Sequence, residues 1–304
     1  MDTGSTRKGF GLDKKRRFFS FSLAAVGIAA AALFESERER RSLVVRYYAV
    51  QSPKISRPRR IVYISDFHER TLGDIAVRLL RATERAEPDY IFLGGDMVTA
   101  KRGASIQATL ALTGRLAKLA PVYYGEGNHE ARLDRDRGRY LHVFDELREG
   151  LSRQGVHYLS DETALLGEDL ALSGLHITEN FYERAPHDEM TAAYVRQHLG
   201  RADAERFQLL FAHSPAFFEA YRRWGADLTF AGHWHGGTVR LPGNIGLMTP
   251  QFEFFRRPAS GLFFRRGRAM LLSPGIGTHS INLRFMNLPE LMVLDLQEGR
   301  GYGR

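Results

Sequence analysis

From residue 43 onward, short apolar runs alternate with longer stretches in which apolar residues recur at helical spacing. This spacing predicts amphipathic helices near 72–87, 104–119, 139–154, 188–200 and 215–224. The runs between them are short and rich in β-branched and aromatic residues, which is typical of buried strands. They read VVRYYAV, RIVYIS, YIFLGG, VYYGE, LALSGL, FQLLFAH, DLTFAG and AMLLSP. Strands that alternate with helices predict a layered α/β fold.

The pattern changes after the last helical stretch, where strand and turn segments follow one another with Gly, Pro and aromatic residues. Such segments favour antiparallel pairing, so we expect mixed sheets and a sandwich with outer helices. No internal repeat, low-complexity linker or shift in composition follows residue 60. We therefore predict a single domain over residues 43–298, with a polar insertion at 176–190.

The first part of the chain has a different composition. Basic side chains crowd positions 7–17, an apolar run follows, and residues 35–41 are strongly charged. A basic segment before an apolar run is typical of a targeting sequence. We predict a basic cytoplasmic N-terminus at 1–17 and a transmembrane anchor or export signal at 18–34. The alternative is a buried soluble helix, although the run has no polar face.

The charge distribution and one motif predict where the protein acts. Cationic residues are slightly more numerous before the apolar run than after it, which places the main domain outside the cytoplasm by the positive-inside rule. The string KRRFFSF at 15–21 resembles a twin-arginine export signal. The prediction is a cell-membrane protein with an extracytoplasmic domain.

Composition narrows the chemistry. The chain has no cysteine, which excludes disulfides and thiolate metal ligands and leaves His, Asp, Glu and Asn to bind metal. The net charge of +8 suits nucleic acid, anionic lipid or a phosphorylated substrate.

Metal-capable side chains follow five predicted strands, just past the point where each strand ends. Because ligands bind at the carboxyl ends of strands in open α/β sheets, we expect these side chains to converge at one edge. Residues two apart in an extended segment point the same way, so paired ligands reach one pocket. Nitrogen and oxygen donors of this kind hold divalent ions. The residues are Asp66 and His68, Asp96, Asn128 and His129, His213, and His233 and His235.

These positions fall in the motifs SDFH, GGD, GNHE, FAHSP and GHWH, in that order. The series resembles the signature of the calcineurin-like metallophosphoesterases over roughly residues 58–297. The membrane-anchored or exported bacterial branch is most similar, because GHWHGGTVRLPG, LLSPGIGT and LPELMVLDL also match its tail. The resemblance implies the metallo-dependent phosphatase fold, a four-layer αββα sandwich of two mixed β-sheets flanked by helices.

The resemblance also implies a role for each residue. Asp66, His68 and His235 would bind one divalent ion, Asn128, His213 and His233 a second, and Asp96 would bridge the two. His129 would be catalytic without binding metal and, if protonated, would stabilise developing charge or protonate the leaving oxygen. Manganese, iron or zinc are favoured, with magnesium also open. Glu130 and His176 depart from the pattern of the family.

The function that follows is binuclear hydrolysis of a phosphomonoester or phosphodiester, by attack of a hydroxide held between the ions. A cell-envelope or lipid-linked substrate fits a membrane-bound enzyme. One alternative is a nuclease, against which the membrane segment and the lack of a nucleic-acid-binding module count. The other is a membrane-anchored protein that binds a phosphate ligand without catalysis. The sequence does not indicate an oligomeric state.

Two weaker features allow two interpretations each. Phenylalanines and arginines alternate between Ile245 and Arg268, which favours a hairpin with Phe inside and Arg outside, while the alternative is contact with a membrane. Arg240 and Arg284 are either exposed side chains or a clamp for a second phosphate group.

Overall fold

The computed structural model describes residues 26–69, 73–103, 105–183, 189–278 and 282–301. The helices are α1 (26–40), α2 (Asp74–Ala86), α3 (Gln107–Leu116), α4 (Asn128–Arg135), α5 (Arg137–Tyr140), α6 (Val143–Arg153), α7 (Ala192–Leu199) and α8 (Phe218–Trp224). The strands are β1 (Val44–Ser52), β2 (Arg59–Ile64), β3 (Tyr90–Leu93), β4 (Val122–Gly125), β5 (His157–Leu159), β6 (Glu162–Leu166), β7 (Leu170–Gly174), β8 (Phe207–Phe211), β9 (Leu228–Ala231), β10 (Arg240–Leu241), β11 (Ile245–Met248), β12 (Phe254–Arg256), β13 (Gly261–Arg265), β14 (Arg268–Leu272) and β15 (Glu290–Glu298).

The strands form two six-stranded mixed sheets and one small sheet. The first sheet has the order β1-β15-β2-β3-β4-β5, with β2 to β5 parallel and β15 antiparallel to β2. The second has the order β13-β14-β9-β8-β7-β6, with a parallel centre and antiparallel strands at both edges. The small sheet, β10-β11-β12, is antiparallel.

Strand β2 shows why the layers stack as they do. Successive side chains of a strand point to opposite faces, so the side chains of β2 enter two different cores in alternation. Ile61 and Tyr63 pack between the two sheets, whereas Val62 and Ile64 pack beneath helices α2, α3 and α6. A third core joins the outer face of the second sheet to α7 and α8. The predicted four-layer αββα sandwich is confirmed.

The predicted elements recur with small shifts at their ends. The five helical stretches contain α2, α3, α6, α7 and α8, and the eight apolar runs contain β1, β2, β3, β4, β7, β8, β9 and β14.

The interpretation of 245–268 as one hairpin with inward phenylalanines is wrong. β12 pairs with β11, while β13 pairs with β14. Of the five phenylalanines in this region only Phe263 packs against the core, and the rest are exposed: Phe252, Phe254, Phe255 and Phe264. Their exposure leaves an unusual apolar surface.

The predicted N-terminus at 1–17 lies outside the described residues, and the predicted anchor at 18–34 is described only from residue 26. No helix in the described ranges is long and apolar enough to cross a membrane. The last turns of α1 pack on the sandwich, where Ser36 and Glu39 are buried. The Glu39 carboxylate accepts hydrogen bonds from the backbone N–H groups of Met286 and Asn287 at 2.8 and 2.9 Å. The end of α1 is thus joined to the chain just before β15.

Candidate metal centre

The segments that follow β2, β3, β4, β8 and β9 meet at one edge of the sandwich. Direct backbone bonds join them: the Asp66 N–H donates to the carbonyl of Gly95, and the Gly232 N–H donates to that of His213, both at 3.0 Å. The His233 N–H donates to a carboxylate oxygen of Asp66 at 3.0 Å. The ends of these strands therefore converge at one edge, as we predicted from the metal-capable side chains that follow them.

Three clusters of three potential ligands form at this edge, and in each the donor atoms lie within 4.8 Å of one another. The first is Asp66, His68 and His235. The Nε2 atoms of the two histidines are 3.1 Å apart, and His235 Nε2 lies 3.4 Å from an Asp66 carboxylate oxygen. Donors that each sit about 2.1 Å from one cation are roughly 3 to 3.5 Å apart, so this set fits a divalent ion.

The second cluster is Asp96, His213 and His233, and the third is Asp96, His68 and His129. His213 Nε2 lies 3.2 Å from an Asp96 carboxylate oxygen, and His68 Nε2 lies 4.0 Å from the same oxygen. Asp96 therefore faces ligands of both predicted ions. The third cluster also brings in His129, which the resemblance does not count as a ligand.

Asn128 is the predicted ligand that belongs to none of these clusters. Its Oδ1 atom is buried and accepts no hydrogen bond from any described residue. It lines a cavity of about 150 Å³ together with His176 and Tyr182, and the Tyr182 ring lies 4.9 Å from that of His233. A buried amide oxygen without a donor costs free energy, which a cation at this position would recover.

Five of the proposed ligands share a backbone conformation that is rare for residues with a side chain. Their φ values lie between 49° and 64°, in the left-handed region. Each such residue costs about 1–3 kcal/mol, and strain of this kind concentrates at functional sites. The five are Asp66, His68, Asp96, His233 and His235. Glycines adjoin three of the five, Asp96, His233 and His235, but no neighbouring glycine marks the strain at Asp66 and His68.

Two glycines of the site are required by close approach. A Cβ atom at Gly127 would collide with the backbone nitrogen of Asp96, and one at Gly232 would collide with the carboxylate of Asp66. Both positions lack a Cβ because a neighbouring ligand passes there.

Charge within the cluster is strongly coupled. Burial opposes ionisation of Asp96, but the imidazoles of His213 and His129 outweigh it and hold the pKa of Asp96 well below its usual range. Burial likewise opposes protonation of His213, yet Asp96 raises the His213 pKa to about 10. Burial raises the pKa of Asp66 to about 6. The Asp96 carboxylate is thus held ionised among imidazoles, and a divalent ion at this position would supply the balancing positive charge.

The sequence profile of calcineurin-like phosphoesterases matches residues 59–237, more than half of the chain and all of the predicted ligands. The chain belongs to this family. It is therefore a metallophosphoesterase, a hydrolase of phosphoric ester bonds that uses divalent metal ions.

The chain is also similar to individual proteins. The metallophosphoesterase YkoQ of Bacillus subtilis is 24% identical over 234 residues, which cover 76% of this chain and 81% of that protein. Phosphodiesterase YaeI of Escherichia coli is 24% identical over 242 residues, covering 79% and 82%. Among solved structures, a dimetal phosphatase from Danio rerio matches with a TM-score of 0.41 and 13% identity, over 71% of this chain and 87% of that one.

One residue of the phosphoesterase carries a role that sequence reasoning did not assign. The buried carboxylate of Glu130 accepts hydrogen bonds from the backbone N–H groups of Asp96, Met97 and Gly127 at 2.8, 2.9 and 3.0 Å. It also accepts one from the Tyr124 hydroxyl at 2.6 Å. Burial and the nearby Asp96 carboxylate raise the pKa of Glu130 to about 7, because together they outweigh the lowering effect of these donors. Glu130 thus ties the loop after β3 to the loop after β4.

The phosphate clamp considered for Arg240 and Arg284 is not formed. The Arg284 guanidinium is buried and donates to the carbonyls of Pro274, Gly275 and Gly277 at 2.6 to 3.0 Å. Arg240 pairs with Glu290 at 3.1 Å. Arg284 instead shapes the 274–277 loop, whose Gly277 N–H donates to the Asp66 carbonyl at 2.7 Å.

Proposed function

We propose that the protein is a binuclear phosphoesterase that hydrolyses a phosphomonoester or phosphodiester with the ligand set predicted from the strand ends. The observation that carries the proposal is the position of Asp96, whose carboxylate belongs to two of the three ligand clusters. A shared carboxylate between two donor sets is what a bridged pair of ions requires. The relative YaeI is a phosphodiesterase by name, which favours a diester.

Asp66, His68 and His235 would hold one ion, Asn128, His213 and His233 the other, and Asp96 both. When bound, the two ions lower the pKa of water and neutralise phosphoryl oxygens. The donor set suits manganese, iron or zinc and admits magnesium, and availability decides among them more than ligand type does.

His129 has a narrower role than the sequence suggested. The Ala100 N–H donates to His129 Nδ1 at 2.9 Å, so this nitrogen is an acceptor and the proton of the neutral ring lies on Nε2. The His129 N–H in turn donates to an Asp96 carboxylate oxygen at 2.8 Å. A ring held in this tautomer donates a hydrogen bond from Nε2 to an oxygen of the substrate and stabilises charge that develops there.

We further propose that the catalytic domain lies outside the cytoplasm at the cell membrane, held there by the N-terminal segment, and acts on a cell-envelope or lipid-linked ester. Support comes from the basic residues at 7–17 followed by an apolar run.

The test is hydrolysis of bis-p-nitrophenyl phosphate and p-nitrophenyl phosphate by the full chain, stripped of metal and refilled with Mn, Fe, Zn or Mg. Metal content is measured in parallel. Two bound ions per chain with restored turnover are expected. One ion at full activity refutes the binuclear site, and two ions without turnover of either ester refute catalysis. Asp145→Asn, at an exposed carboxylate, serves as the control for Asp96→Asn.

A further inference from the structure

The edge strand β12 is exposed on both faces. Consecutive residues of a strand point in opposite directions, so an ordinary edge strand buries one of each pair. Phe254 and Phe255 are consecutive, yet their exposed fractions are 57% and 64%. Phe252, just before the strand, is 46% exposed. The segment Phe252–Arg257 therefore projects an aromatic surface into solvent.

This surface is costly to maintain. Exposed edge strands in soluble proteins usually carry charge or proline against unwanted pairing, and clustered exposed aromatic rings mark interaction sites. Phe252 and Phe255 also have φ values of 62° and 57°, a region that bulky residues rarely adopt. This backbone strain is not offset by full burial of the two rings. It therefore indicates that these residues serve a function other than folding.

The charges around the rings are cationic. Arg256 and Arg257 follow the phenylalanines directly, and both are exposed. The one acidic residue within the segment, Glu253, is mostly buried and pairs with Arg256. Aromatic rings flanked by arginine suit the boundary between lipid headgroups and acyl chains, where rings insert and cations meet phosphate. Charge complementarity thus favours an anionic bilayer.

The segment lies close to the metal centre. β12 pairs with β11, and Gly246 of β11 packs against Gly237, two residues after the ligand His235. The Arg256 guanidinium lies 5.9 Å from the ring centre of Trp234, which stands between the ligands His233 and His235. A surface that receives this segment would therefore be brought near the ligands.

We propose that Phe252–Arg257 docks on an anionic membrane surface and brings the metal centre to it. Docking does not require turnover, so it can fail or succeed independently of the proposed function.

The absence of cysteine allows a direct test. Phe254→Cys is labelled with a polarity-sensitive fluorophore in the full chain, and Leu165→Cys, at an exposed residue of β6, is the matched control. Each is mixed with phosphatidylcholine vesicles with or without phosphatidylglycerol. Emission, quenching by aqueous iodide and sedimentation with the vesicles are recorded. Because sedimentation reports binding through any segment, the labels report which surface faces the lipid.

With anionic vesicles, the label at 254 should shift to shorter wavelength and lose its quenching by iodide, while the label at 165 stays in water. Adding Arg256→Gln and Arg257→Gln should weaken the docked state by roughly tenfold or more, because each basic residue contributes separately near an anionic surface. Arg139→Gln with Arg153→Gln, at exposed arginines elsewhere, should not. Thermal unfolding with the midpoint of the unsubstituted chain confirms that each variant is folded, whether or not it hydrolyses an ester.

Three results would overturn the proposal. A label at 254 that stays in water on sedimented protein excludes docking of this surface on lipid. Equal protection on neutral vesicles removes the role of the arginines. Equal protection at 165 means that contact is not specific to β12.

Discussion

The metal centre and the small sheet β10-β11-β12 are neighbours, and both contain residues with a strained backbone. They differ in whether those residues are buried or exposed. At the centre, four of the five residues with positive φ are buried and His68 is partly buried, and bonds to other loops fix them, such as the one from the Asp96 N–H to Glu130. In the small sheet, Phe255 has a similar φ but an exposed ring. Contacts within the chain stabilise the strained backbone at the centre. At β12, the proposed docking surface would take that role.

Removing the shared carboxylate should have the largest effect. Asp96→Asn takes a negative charge from both predicted ion sites, so metal content should fall and turnover should drop by roughly a thousandfold, since the ions contribute several kcal/mol to the transition state. Elemental analysis beside initial rates measures this. Retention of both ions would show that Asp96 does not join the two sites.

His129→Ala should separate metal binding from turnover. Loss of the Nε2 donor should reduce kcat by about a hundredfold to a thousandfold while both ions remain bound. The same metal analysis and kinetics are run on His142→Ala, at an exposed histidine, as the control. Loss of metal would instead identify His129 as a ligand, as the third cluster allows.

Glu130→Gln tests whether the centre is held by its own loops. Replacing the carboxylate weakens four hydrogen bonds at once. The free energy of unfolding should therefore fall by about 2–4 kcal/mol. Turnover should fall by roughly tenfold to a hundredfold, because supporting groups orient the ligands. Urea denaturation of this variant and of Glu146→Gln, an exposed glutamate, decides the matter; equal midpoints would contradict it.

A buried ion pair at the opposite edge should affect stability alone. Arg59 donates to Asp169 at 2.6 Å, and burial is outweighed by this bond and by Ser56, so the pKa of Asp169 falls from 3.8 to about 2. Because the folded pKa is depressed, its contribution is complete above about pH 4 and is lost as the pH falls towards 2. Asp169→Asn should cost about 1–3 kcal/mol at pH 7 and flatten acid unfolding between pH 4 and 2. A change in diester turnover would argue against the separation of the two edges.

The smallest effect should come from β12 in solution. Phe254→Ser should change the free energy of unfolding by less than about 0.5 kcal/mol, because an exposed ring leaves no cavity behind. Turnover of a soluble diester should be unchanged. Thermal melts and initial rates test this, and a large loss of stability would show that the ring is packed in solution.

The layered fold was predictable because strand and helix periods differ and the apolar runs are long enough to show them. The convergence of the ligand residues was predictable because each follows a strand. Strand β6 was missed because most of its residues are exposed, and β5, β10, β11 and β12 were missed because they are too short to show a period. Strands β13 and β15 fall in the region that was predicted only as strand and turn, without bounds.

The parts of the site that the sequence did not predict depend on tertiary contacts. Nothing near Glu130 indicates that its acceptors serve a loop that is more than thirty residues away in sequence. The tautomer of His129 depends on the Ala100 N–H, which lies on another loop. Arg284 was weighed as a ligand for phosphate because its type suits that purpose, and only burial shows that it serves backbone carbonyls.

The last turn of α1 is bonded directly to the catalytic domain. Ser36 accepts a hydrogen bond from the Arg284 N–H at 3.0 Å, and Arg284 in turn holds the 274–277 loop on Asp66. A helix over residues 26–40 is about 22 Å long at 1.5 Å per residue. If the chain before residue 26 is held at a surface, α1 would act as a rigid spacer. It would set the distance and the tilt of the catalytic domain relative to that surface, and therefore which phosphate groups the metal centre can reach.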